Sequence, residues 1–97
     1  EVWMHMVEQR LAKKNRKPGE VSFRNEEIFN SYNCMPGPKA LNQVMANDYA
    51  KASYKFTNGL TLRKWLESQS FEAQFNFAIK WLGEHGYVIK DSKIVKR

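Results

Sequence analysis

The segment from Pro38 to Trp65 constrains this chain more than any other, because a sharp start, an amphipathic helix and a basic, turn-bearing stretch follow one another directly. Asn33 to Pro38 holds two prolines and a glycine, which break whatever precedes them, and Pro38 suits the first position of a helix because its missing N–H is not needed there. The spacing predicts a helix from about Lys39 to Ala52 with Leu41, Val44, Met45 and Tyr49 as its buried stripe. Lys39, Asn42, Gln43, Ala46, Asn47 and Lys51 then face outward. Any surface helix shows a polar face, but amides are the side chains that make bidentate bonds to adenine. Base recognition and an ordinary solvated face both stay open.

Ser53 to Trp65 reads as a short β-hairpin around Asn58-Gly59. A two-residue turn would pair Phe56 with Thr61 and Lys55 with Leu62, mixing polar and apolar partners on both faces. A three-residue loop, Thr57 to Gly59 with Gly59 left-handed, pairs Phe56 with Leu60 and Tyr54 with Leu62 and gathers the apolar residues on one side. The other side would carry Ser53, Lys55, Thr61 and Arg63. A second parse competes: Leu62, Trp65, Leu66 and Gln69 also fit helical spacing with Thr61 as cap. The second half would then be a helix-turn-helix of its own, with Phe71 to Gly83 as the second helix and Tyr87 to Arg97, turning at Asp91-Ser92, as the hairpin. Against this parse, the 71 to 83 helix is apolar around most of its circumference, and Glu72 and Glu84 lie in its polar stripe with Asn76 and Lys80. Such a helix is expected to pack rather than to meet phosphate.

Upstream, Val2, Trp3, Met6, Val7 and Leu11 recur at helical spacing and predict a helix over Glu1 to Asn15, with cations from Lys13 to Lys17 at its C-terminal end before Pro18-Gly19. That basic cluster serves equally as capping or as a phosphate contact. Val21 to Arg24 alternates like a short strand. Asn25 is expected to cap a helix that carries Glu26 and Glu27 in its first turn and runs to about Tyr32.

Ninety-seven residues suffice for one modest core, so residues 1–97 are expected to form one domain, its core over 1–66 and a helix-plus-hairpin extension over 67–97. A formal charge of +6 favours polyanionic partners, nucleic acid ahead of an anionic membrane. No apolar run approaches the roughly 18–20 residues that cross a bilayer, and no secretory leader is visible. The lone Cys34 cannot form an internal disulfide, so an intracellular, cytoplasmic setting is expected. The chain starts at Glu1 with apolar residues at once, which suggests a module of a longer protein. His5 and His85 lack cysteines nearby in sequence, there is no phosphate-binding glycine loop, and the ten acids form no recognisable pair. No cofactor, no metal and no enzymatic activity are expected.

The order of elements resembles the winged-helix domains at the C-terminal ends of viral, phage and plasmid primase-helicases and related replication initiators. The resemblance lies in Val7 to Leu11, Glu26 to Tyr32, the Leu41 to Met45 helix and the Tyr54 to Trp65 hairpin, covering about residues 1–66. It implies an α+β, mainly helical winged helix-turn-helix with one or two small antiparallel β-hairpins, serving as a double-stranded DNA-binding part of a replication or transcription-regulating protein. Carried over residue by residue, Lys39, Asn42, Gln43 and Asn47 would face the groove, and Lys55, Asn58 and Arg63 would serve the wing. With Lys51 and Lys64 these complete the expected DNA-binding set. The alternative is a protein partner, or a second copy, docked on the aromatic residues Phe71, Phe75, Phe77 and Trp81 of the 71 to 82 helix.

Overall fold

Alternation, not helical spacing, governs the N-terminus. In the computed structural model, which describes residues 1–97, Val2–His5 is a strand, β1. Met4 and Met6 point into the core while Trp3 lies out in solvent, the period of two that a strand imposes. The expected helix over Glu1 to Asn15 is therefore replaced by β1 and two single 3-10 turns, Gln9–Leu11 and Lys13–Asn15. The partner that decides this is Cys34–Gly37, β2, which lies antiparallel to β1 with Trp3 opposite Pro36 and Met4 opposite Met35. Pro36 is tolerated because a two-stranded pair is all edge.

Between the strands, the expected strand at Val21 to Arg24 shrinks to one bridge, Phe23 to Ala12. The expected helix to Tyr32 shrinks to one turn, α1, Asn25–Ile28. Arg24 rather than Asn25 occupies the cap, and the Asn25 Oδ1 instead accepts the Lys14 N–H at 3.1 Å. Glu26 and Glu27 do fill the first turn. Asn33 then ties this loop to β1. It is fully buried; its Oδ1 accepts the Val7 N–H at 2.8 Å, and its Nδ2 donates to the Val7 and Ile28 carbonyls at 3.1 and 2.9 Å.

Helix α2 spans Lys39–Lys51, with Pro38 at its cap and Leu41, Met45 and Tyr49 buried. Val44, expected inward, is half exposed. The hairpin expected over Ser53 to Trp65 is absent. Lys55–Thr57 is a 3-10 turn held by Thr57, whose buried hydroxyl donates to the Tyr54 carbonyl at 2.8 Å and accepts the Tyr54 N–H at 3.0 Å. Asn58 and Gly59 are both left-handed. The Thr61 hydroxyl then accepts the Lys64 N–H at 3.3 Å and starts α3, Leu62–Glu67. Of the four residues that a hairpin would have turned inward, only Leu62 is buried; Tyr54, Phe56 and Leu60 are well exposed. A satisfied cap and two residues of the core, Leu62 and Leu66, outweigh alternation that leads nowhere.

Helix α4, Phe71–Glu84, follows a link of three residues, and its cap, Ser70 Oγ, accepts the Ala73 N–H at 3.0 Å. Strands β3, Tyr87–Lys90, and β4, Lys93–Lys96, close a hairpin through Asp91 and Ser92. Both turn residues have φ between 51° and 59°, the type I′ geometry that matches strand twist. One cluster holds Met4, Met35, Leu41, Met45, Leu62 and Leu66 together with Ala78, Trp81, Leu82 and Ile94, so residues 67–97 are built into the same core as 1–66. Gly37 marks the seam, since a Cβ there would fall 2.5 Å from Met4 Sδ and 3.3 Å from Ile94 Cβ. The architecture is α+β, four helices with two small antiparallel strand pairs. No helix is long and apolar enough to cross a membrane.

Candidate nucleic-acid interface

The surplus of positive charge is unevenly available. Four of the five arginines are engaged by acids: Arg10 and Arg16 with Glu67 at 3.0 and 2.7 Å, Arg24 with Glu27 at 3.2 Å, and Arg63 with Glu8 at 2.9 Å. Arg97 caps the end of α4, its Nη2 donating to the Gly83 carbonyl at 2.7 Å. The cations left with neither an acidic partner within 4 Å nor a capping role are lysines, which suit phosphate as point charges rather than as bidentate readers.

Glu67 organises the buried part of this network. Burial opposes its charge, but the Arg10 hydrogen bond and the charges of Arg10, Lys64 and Arg16 outweigh that and hold its carboxyl below the usual carboxylate range. A carboxyl depressed by folding contributes stability that is present above its unfolded pKa and lost as pH falls through the folded value. Glu67→Gln is thus expected to lower the urea midpoint at pH 7, with the gap from the parent protein closing below about pH 4, near the unfolded carboxylate pKa. A gap independent of pH would mean that Glu67 acts by packing alone.

The expected DNA-binding residues do not come together. Lys39, Gln43, Asn47 and Lys51 form an exposed row along α2, as read from the sequence, while Asn42 is half-buried in a cleft against β1. Lys55 and Asn58 are exposed, but on a turn and not on a wing. Arg63 is a structural residue: its Nε donates to both Glu8 oxygens, at 2.9 and 3.2 Å, and Lys64 stands 3.9 Å from Glu67. No hairpin accompanies α2, which packs against α3 and β1 and meets α4 through Tyr49 and Asp48.

A hairpin does accompany α4, which contacts β3. Most of the apolar residues that argue against α4 as a binding helix are used inside. Phe71 meets Phe23 and Tyr32, Phe75 meets Tyr32, Phe77 meets Tyr49 edge-on, and the buried Trp81 donates its Nε1 proton to Asp48 at 2.7 Å. The strip left outside is Glu72, Ala73, Asn76, Ile79 and Lys80. Beside it the hairpin exposes Lys90, Lys93 and Lys96, and Lys90 pairs directly with Lys93 across the turn. Like charges facing each other across strands are destabilising, and none of these three lysines is offset by an acid within 4 Å. The signal for this surface was present in the Asp91-Ser92 turn and its flanking lysines; the apolar circumference of α4 hid it.

His5 and Cys34 are remote in sequence but opposite one another across β1 and β2. Burial pushes the imidazole pKa down and the thiol pKa up, so each favours its neutral form. That makes the thiol a poor nucleophile. No protein-family model, characterised protein or solved structure among those compared matches this chain.

Proposed function

We propose that this chain is a double-stranded DNA-binding module of the winged-helix type, with α4 as the groove-facing helix and β3–β4 as the wing. The observation that carries the reading is the unit α3, three-residue link, capped α4 and type I′ hairpin with paired lysines at its tip. A helix-turn-helix places its second helix in the major groove. On that placement Asn76 and Lys80 face base edges and Lys90, Lys93 and Lys96 meet phosphates; Glu72 and Glu84 lie at the helix ends, away from the middle of the strip. Docking of a protein through Phe71, Phe75, Phe77 and Trp81 is the weaker reading, since those rings already face Phe23, Tyr32, Tyr49 and Asp48.

Fluorescence anisotropy with a 20-bp duplex tests it. If Lys80, Lys90, Lys93 and Lys96 each neutralise one phosphate, the slope of log K against log salt is about −3.6, and affinity falls roughly 100-fold between 50 and 200 mM salt. Absence of binding at 50 mM salt, or a slope near zero, would end the proposal.

A further inference from the structure

Between β1 and α2 lies a cleft of about 240 Å³ that the DNA-binding reading does not use. Two polar atoms at it are buried and lack any partner: His5 Nε2 and the Tyr49 hydroxyl. Tyr49 is only 2% exposed and sits in the last turn of α2. An unpartnered buried hydroxyl is costly, and a phenylalanine would fill the same space without that cost. A tyrosine here makes chemical sense if something else supplies the partner.

The walls describe that partner. Glu8 lines the same cleft, but Arg63 at 2.9 Å and Arg10 at 3.4 Å already balance its charge, and burial favours neutral His5. The ligand therefore needs no net charge, which disfavours a phosphate or a carboxylate as the group recognised. Asn42 adds an amide with both donor and acceptor. Trp3 is 66% exposed at the rim, an unusual setting for an indole, and offers a flat face. The volume falls below the roughly 300–1,000 Å³ of drug-sized sites, so one ring system fits and a larger molecule does not. A stacking face, a bidentate amide, a balanced carboxylate and two neutral ring-borne hydrogen-bonding atoms are the means by which proteins hold an unpaired base.

We propose that this cleft binds one neutral nucleobase bearing an exocyclic amino group, adenine fitting best, stacked on Trp3 and bonded by Asn42, Glu8 and Tyr49. The base could arrive as a free nucleoside or as an unpaired base of a strand. Pairing an amide with the adenine amino and ring nitrogens is the favoured side-chain match for that base.

Amide NMR titrations of the full chain with adenosine, uridine and an eight-residue oligodeoxyadenylate decide the matter. Shifts at residues 3–10 and 42–49 with adenosine support a free-nucleoside site, and the same shifts with the oligonucleotide alone support an unpaired base. Equal shifts with uridine overturn the amino-group reading. No shift there with any probe overturns the proposal, and shifts confined to residues 71–97 do so while leaving the duplex-binding reading intact. Tyr49→Phe is expected to weaken binding at least tenfold while the Tm of the free protein holds or rises by up to roughly 5 °C. Trp3→Ala, at an exposed position, should cost a similar factor in affinity. Unchanged affinity in both variants, or a fallen Tm with unchanged affinity in Tyr49→Phe, would show that the hydroxyl has a purely structural role.

Discussion

Replacing Asn33 by alanine is expected to remove about 3–5 kcal/mol of stability, a large share of the roughly 5–15 kcal/mol that a domain of this size has. Its side chain is the only partner seen for the Val7 N–H, and it also bonds the Val7 and Ile28 carbonyls, all away from solvent. Alanine would leave those groups unpaired at about 1–3 kcal/mol for each one that stays dry. The loss falls where the β1 segment, α1 and β2 meet, so it loosens the small cluster of Val7, Leu11, Ala12 and Ile28 along with the strand pair. Urea unfolding followed by circular dichroism measures it. Asn33→Asp provides an internal check with a definite sign. The second carboxylate oxygen would face two carbonyls, so burial and repulsion raise the folded pKa, and stability is lost as pH rises above the unfolded value of about 3.9. An alanine variant within 1 kcal/mol of the parent, or an aspartate variant indifferent to pH, would show that water replaces the amide.

The strand pair next to Asn33 explains why the N-terminal half is illegible in sequence. Val2, Trp3, Met6, Val7 and Leu11 satisfy helical spacing as well as they satisfy a strand followed by a 3-10 turn. The choice is made by Cys34–Gly37, a strand with a proline and a glycine in it, residues depleted in strands and so giving no local signal. The elements read correctly were those whose determinants are local: the α2 start behind Pro38, the helix over Phe71 to Gly83, and the turn at Asp91-Ser92. Leu60 to Gln69 was ambiguous because one set of apolar residues fits both periods, and the Thr61 cap decides it. For the site the difficulty was charge pairing at a distance. Arg63 looked free beside Thr61 and Lys64, yet its acid, Glu8, lies 55 residues away in sequence. The exposed row on α2 was legible, whereas its lack of an adjacent hairpin was a matter of tertiary packing.

Those two surfaces give opposite expectations for the same measurement. Converting Lys90, Lys93 and Lys96 together to alanine is expected to lower duplex affinity about 10²–10³-fold at 0.1 M salt, because three lost phosphate contacts remove roughly 2.7 from the salt slope. The loss should be similar for duplexes of unrelated sequence, as phosphate contacts position and do not specify. Folding is not threatened, since all three side chains are exposed and the change relieves the Lys90 and Lys93 repulsion. Converting Lys39, Lys51 and Lys55 instead removes the same formal charge from the α2 side and is expected to change affinity less than about threefold at that salt, leaving the steep slope in place. Equal charge removal makes the pair informative, because a mere effect of net charge would weaken both variants alike. If the α2 variant loses more, α2 is the helix that meets DNA and the hairpin lysines serve another polyanion. If α4 and its hairpin hold the duplex, Asn76→Ala should then alter the preference among sequences while leaving the salt slope unchanged, since an amide at a base edge releases no counterion.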